Sequence, residues 1–82
     1  MKRYKNLNGN SSVIAYEISP AYIDVLFEDK SLYRYNYLVT GIAHVEQMKL
    51  LAQQGKGLCT YINKFVRKKY SNKLKHANVS LT

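Results

Sequence analysis

Hydrophobic and polar positions alternate from Val13 onward. Ile14, Tyr16 and Ile18 fall on one side of an extended run, and Val13, Ala15 and Glu17 on the other. That period of two is what a half-buried strand requires. Ser19-Pro20-Ala21 ends the run as a turn, because proline fixes φ and donates nothing to a ladder. Ile23, Val25 and Phe27 then alternate with Asp24, Leu26 and Glu28. After the polar step Asp29-Lys30, Tyr33, Tyr35 and Tyr37 alternate with Leu32, Arg34 and Asn36. Three short runs and two tight connections predict an antiparallel meander with one apolar, aromatic face and one mixed face. Asp29-Lys30 is a weaker hairpin step than Asp-Gly, since lysine resists positive φ.

After Tyr37 the period lengthens. Val45, Met48 and Ala52 share a helical stripe flanked by Ile42 and Leu51, with Thr40 as the expected N-cap and Gly55 as the expected C-cap. A second helix follows from Leu58, Tyr61, Ile62, Phe65 and Val66, continuing to Lys69 or Tyr70, at the spacing of one buried face. Lys64, Arg67 and Lys68 lie on its opposite side. Residues 71–82 show no periodicity and are expected to fray. Two amphipathic helices covering one face of a sheet solve the burial problem. The expected fold is α+β: a three-stranded antiparallel meander followed by two helices, in the order β-β-β-α-α.

Composition narrows the picture. Eighty-two residues, 46% of them hydrophobic and 22% charged, make a single small globular domain. One cysteine forms no internal disulfide, the opening MKRYKNLNGNSS lacks the apolar segment of a secretory signal, and no apolar run approaches the roughly 20 residues of a membrane helix. These features lead to an expectation of a soluble, cytoplasmic protein.

Charge changes the picture more. The chain carries a net +8, yet residues 1–46 hold five basic and five acidic groups. The whole excess lies in residues 47–82, which carry Lys49, Lys56, Lys64, Arg67, Lys68, Lys69, Lys73 and Lys75 and no acid. A surface of one sign repels itself unless something anionic binds it.

The stretch from Val13 to Val39 resembles the front half of the KTSC domain. Ile23, Val25 and Phe27 fill its alternating strand, Tyr33 and Tyr35 its Y-x-Y element, and Tyr61, Ile62, Asn63, Val66, Arg67 and Tyr70 its closing Y-[FI]-N-x-x-[IV]-[RK]-x-x-Y signature. On this resemblance residues 12–70 form one KTSC-like domain, preceded by a polar segment, 1–11, and followed by a polar basic tail, 71–82, expected to be flexible. Gly57-Leu58-Cys59 stands where the family often has Ser-x-Gly, and Val39-Thr40 where it has Val-Pro. The family includes short stand-alone proteins and a domain appended to a lysyl-tRNA synthetase, which implies an RNA-binding role without chemistry of its own.

Candidate sites follow. Lys64, Arg67 and Lys68, extended by Lys56, Lys69, Lys73 and Lys75, suit a phosphate backbone, with Arg67 able to make two parallel hydrogen bonds and the lysines acting as point charges. Tyr33, Tyr35 and Tyr37 offer either a stacking platform for unpaired bases or ring area for the core beneath the helices, and the second use is expected to dominate. Asn63 is expected to serve a neighbouring loop. Cys59 has no histidine beside it in sequence, and one cysteine with two scattered histidines falls short of a four-ligand zinc site, so no catalytic residue, cofactor or metal is expected. Gly55-Lys56-Gly57 lacks the strand and spacing of a phosphate loop and reads as a linker. Glu17, Asp24 and Glu28 with Arg34 are expected to form surface pairs worth little. The leading expectation is a non-catalytic RNA-binding module. The alternative is a protein-interaction module, or homodimer, docking through its sheet face or edge.

Overall fold

A computed structural model describes residues 1–76, the side chains of 75 and 76 excepted. The chain runs β1 (Lys2–Arg3), β2 (Val13–Ser19), β3 (Tyr22–Phe27), β4 (Ser31–Asn36), α1 (Ile42–Gln54), α2 (Leu58–Tyr61) continuing as a π-helical turn (Ile62–Val66), and β5 (Asn72–His76). The sheet is antiparallel throughout, in the order β1-β2-β3-β4-β5. The α+β class, the meander and the two helices after it match the sequence reading. The sheet, however, has five strands where three were expected.

The additional strands lie at the edges, where pairing depends on backbone groups and not on a buried side-chain pattern. In β1, Lys2 and Arg3 pair opposite Tyr16 and Ala15 although both are exposed. Strand β5 forms within the segment expected to fray, anchored where the Ser71 N–H and hydroxyl both donate to the Arg34 carbonyl, at 2.7 and 3.1 Å. The remainder of that tail, residues 77–82, lies outside the described residues. The N-terminal segment also enters the fold: Tyr4 is buried, and its hydroxyl accepts the Leu58 N–H at 3.2 Å.

Register sorts the two faces. Ile23 stands opposite Ile18 and Tyr35, and Val25 opposite Tyr16 and Tyr33, so the aromatic face looks toward the helices. Val45, Met48 and Ala52 from α1, with Leu58, Ile62 and Val66 from the second helix, close the core over it. Two expected positions differ. A bulge between Val13 and Ala15 brings Val13 into the core instead of the outer face. Phe65, at the π-helical turn, is 48% exposed, because i→i+5 bonding widens the turn and breaks the regular stripe.

Local signals behave unevenly. Gly55 caps α1 at φ 81°, its N–H donating to the Ala52 and Leu51 carbonyls, and a Cβ there would sit 2.6 Å from the Lys5 side chain. The other end of α1 is capped by Gly41 rather than Thr40. Thr40 is buried and its hydroxyl instead donates to the Lys69 carbonyl at 2.6 Å, tying the start of α1 to the end of the second helix. Lys30 adopts the disfavoured φ of 74°, with the Asp29 carboxylate accepting the next N–H, that of Ser31, at 2.9 Å.

The outer face holds a further correction. Asp24 is only 7% exposed, and Arg34 grips both its oxygens, at 2.8 and 3.0 Å, while stacking 3.8 Å above the Tyr22 ring. This is a desolvated fork, not a loose surface pair. Replacing Arg34 with methionine strands the Asp24 carboxylate and is expected to cost about 2 kcal/mol at neutral pH, less than for a fully buried pair because Arg34 keeps some water. Urea denaturation of Arg34→Met, Asp24→Asn and the double variant measures it. Strong non-additivity is expected, and simple additivity would return the pair to the weak surface class.

Candidate nucleic-acid interface

Asn63, in the π-helical turn, and Arg67 and Tyr70, just beyond its end, fall on one side of this segment. That side faces the β3–β4 hairpin. Between the two lies a cleft of about 510 Å³, bordered on the helix side by Ile62, Asn63, Arg67, Lys68 and Tyr70 and on the sheet side by Phe27, Tyr33 and Tyr35, with Glu28, Asp29 and Ser31 at the hairpin. Its volume is within the range of pre-formed ligand sites.

The aromatic wall is a packed cluster. Tyr33 meets Tyr70 with ring centroids 4.7 Å apart and Phe27 edge-on at 5.7 Å, and Tyr70 stands perpendicular to Tyr35 at 6.4 Å. Tyr35 is 2% exposed; burial, then Tyr33 and Tyr70, push its hydroxyl well above the usual phenol range, so it stays neutral. Tyr33 and Tyr70 are half-buried and present ring area to the cleft. The tyrosines therefore divide: of the three expected to serve the core, Tyr35 is buried in it while Tyr33 and Tyr37 are half-buried against it; Tyr4 and Tyr16 add to the core, and Tyr33 with Tyr70 also lines the cleft.

The cations divide as well. Arg67 and Lys68 line the cleft, and the Lys73 ammonium lies 5.6 Å from the Tyr33 ring centroid. Lys64 sits apart from the cleft lining, 5.8 Å from the Phe65 ring. Lys56 lies in the turn between the helices, at a second, smaller hollow. Lys69 is exposed and contributes its backbone carbonyl to Thr40. The Lys75 side chain lies outside the described residues. Among the described residues, side-chain cations pair with carboxylates at Arg34–Asp24 and Lys49–Glu46; Lys56, Lys64, Arg67, Lys68, Lys69 and Lys73 join no such pair. The Lys49–Glu46 pair is structural. Hydrogen bonds from Lys49 and then Tyr37 hold the Glu46 carboxyl below its ordinary range, while Lys49 also donates to the Pro20 carbonyl.

The remaining reactive side chains are scattered. Cys59 is half-buried with the Ser12 hydroxyl 3.2 Å from its sulfur and the Asn63 amide at 3.8 Å, so Asn63 turns toward the second helix's own cysteine and not toward a loop. His44 is hydrogen-bonded through Nδ1 to the Tyr61 hydroxyl at 2.7 Å and stacks on Phe65. Among the described residues no group of three or more His, Cys, Asp or Glu side chains could hold a metal ion, and no helix is long and apolar enough to cross a membrane.

Comparison of the chain with protein-family models, with curated proteins and with solved structures finds no match. The site therefore rests on its own geometry. Sequence reasoning singled out Arg67, Lys68 and Lys73 as cations and set Arg67 beside Tyr70 only within the KTSC-like signature, and it did not bring them to Phe27 or the hairpin acids. The available signal was the Asn63, Arg67, Tyr70 spacing; the hairpin's approach leaves no trace in local periodicity.

Proposed function

We propose that the protein is a small, non-catalytic module that binds single-stranded RNA in the cleft between the second helix and the β3–β4 hairpin. One observation carries the reading: Arg67 and Lys68, which pair with no carboxylate among the described residues, adjoin the half-buried rings of Tyr33 and Tyr70 in one concavity. Phosphates go to the cations, bases go to the rings, and Glu28 at the far rim steers the polyanion toward Arg67 and Lys68. The sequence motifs that resemble the KTSC domain, and the link of that family to a lysyl-tRNA synthetase, support the same assignment, as does the excess of positive charge in residues 47–82. A cytoplasmic setting accompanies it.

The test is a salt titration of labelled single-stranded RNA by fluorescence anisotropy, with duplex RNA alongside. With Arg67, Lys68 and Lys73 each meeting one phosphate, log affinity should fall against log salt with a slope of about −2. The duplex, whose bases are already stacked, should bind more weakly. A flat salt response, or a duplex bound as well as the single strand, overturns the proposal.

A second reading, protein docking, is favoured by exposed Leu38 (91%), Val39 and Ile42 at the entry to α1 and by exposed Phe65. It fits less well through the sheet edges, because β1 and β5 carry Lys2, Arg3, Lys73 and Lys75, and edge lysines discourage strand addition. Nucleic acid that copurifies and absorbs at 260 nm supports the first reading; a stoichiometric protein or a clean dimer supports the second.

A further inference from the structure

A second hollow of about 250 Å³ adjoins the cleft, lined by Asn6, Asn8, Asn10, Lys56, Thr60 and Asn63 among others. Asn63 borders both cavities. The wall between them is thin elsewhere too: Ser12 lines the cleft, Cys59 lines the hollow, and their side-chain oxygen and sulfur are 3.2 Å apart. Building on the RNA reading above, we propose that the hollow is a second nucleotide subsite, so that the ligand is a run of at least two unpaired nucleotides and not a free mononucleotide.

Size, charge and chemistry all lead there. The hollow is smaller than the roughly 300–1,000 Å³ of sites that hold a whole ligand, so it suits one part of a longer one. No acid lines it, whereas Glu28 lines the hairpin end of the first cleft. A polyanion anchored on Arg67 and Lys68 therefore extends past Asn63 toward Lys56. Side-chain amides offer a donor and an acceptor side by side, the pattern that pairs with the edge of an unstacked base. The Asn6 carbonyl oxygen is already engaged by the Ser11 N–H at 3.1 Å, but the Asn8 and Asn10 amides make no hydrogen bond among the described residues. They are the groups available to a base, with Lys56 for the phosphate that links it to the first.

The experiment compares a mononucleotide, a dinucleotide and a tetranucleotide of RNA on the full chain, by NMR titration and anisotropy. The side-chain amide resonances of Asn8 and Asn10 should move with the dinucleotide and stay still with the mononucleotide. Lys56→Glu should weaken the dinucleotide and tetranucleotide about tenfold while leaving the mononucleotide within about twofold, since only the linked second contact is lost. Lys2→Glu, on the β1 edge, controls for net charge, and an unchanged melting temperature for Lys56→Glu confirms an intact fold. Asn8 and Asn10 amides unmoved by saturating tetranucleotide, or a Lys56→Glu loss equal for all three lengths, overturn the second subsite while leaving the first cleft standing. Absence of binding at every length overturns both.

Discussion

Reversing Arg67 and Lys68 to glutamate together is expected to lower affinity for single-stranded RNA about a hundredfold. Hydrogen bonds to charged groups contribute about 1.5–3 kcal/mol each when shielded and less at exposed side chains such as these, so about 1.4 kcal/mol for each position gives the hundredfold loss, or about 2.7 kcal/mol. Both contacts are removed and replaced by repulsions, in a cleft that already holds Glu28. The salt dependence should flatten at the same time, by about 0.7 per lost phosphate contact. Because both side chains are exposed and neither joins a carboxylate among the described residues, the melting temperature should hardly change. Lys64→Glu is the informative companion, since Lys64 does not line the cleft and its reversal should cost only a few-fold. Anisotropy over a salt series, paired with thermal melts, measures affinity, salt slope and stability for both variants. Wild-type affinity in the double variant would remove the cleft from the binding mechanism, and an equal loss from Lys64→Glu would show that charge alone, without place, attracts the RNA.

Shortening Leu58 to alanine should have the largest effect on stability. Leu58 is fully buried where α2 begins, and its N–H donates to the hydroxyl of Tyr4, so it joins the helices to the N-terminal segment. A buried Leu→Ala change costs about 2–5 kcal/mol, through lost burial and a residual cavity. A domain of this size has about 4–12 kcal/mol in total, so a loss near 3 kcal/mol removes a large part of it. The melting temperature should fall by about 15 °C, with a matching drop in urea midpoint and little change in m-value. Hydrogen exchange should show the first residues opening together with α2, because Tyr4 and Leu58 belong to one buried cluster that the cavity weakens. A cost below about 1 kcal/mol would mean that α2 begins outside the cooperative core.

Much of the fold was legible in side-chain pattern. Alternation in Ile23, Val25 and Phe27 and in Tyr33, Tyr35 and Tyr37 placed β3 and β4 and their inward face, and the stripe Val45, Met48, Ala52 placed α1; the stripe Leu58, Tyr61, Ile62, Phe65, Val66 placed a second helix there, but one that ends at Val66 and not at Lys69 or Tyr70, and that leaves Phe65 exposed. Those signals are readable because burial on one face imposes a period on the residues that supply it. Strands β1 and β5 escaped because an edge strand is held by backbone hydrogen bonds, which carry no residue code, and their lysines suit exposed edges. Thr40 failed as a cap for a related reason: its hydroxyl meets the Lys69 carbonyl, a partner 29 residues away.

The sequence by itself determined the central meander of β2, β3 and β4 and the inward face of β3 and β4, and it concentrated the excess of positive charge in residues 47–82. Only the tertiary structure decided that Tyr33 and Tyr70, 37 positions apart, touch beside Arg67; that Asp24 is gripped by Arg34 and withdrawn from water; and that Lys64 is left away from the cleft. The physical reason is one of range. Periodicity reports what each residue's own element buries, whereas a cleft is made by two elements meeting, and its character depends on which side chains remain unpaired once they have met.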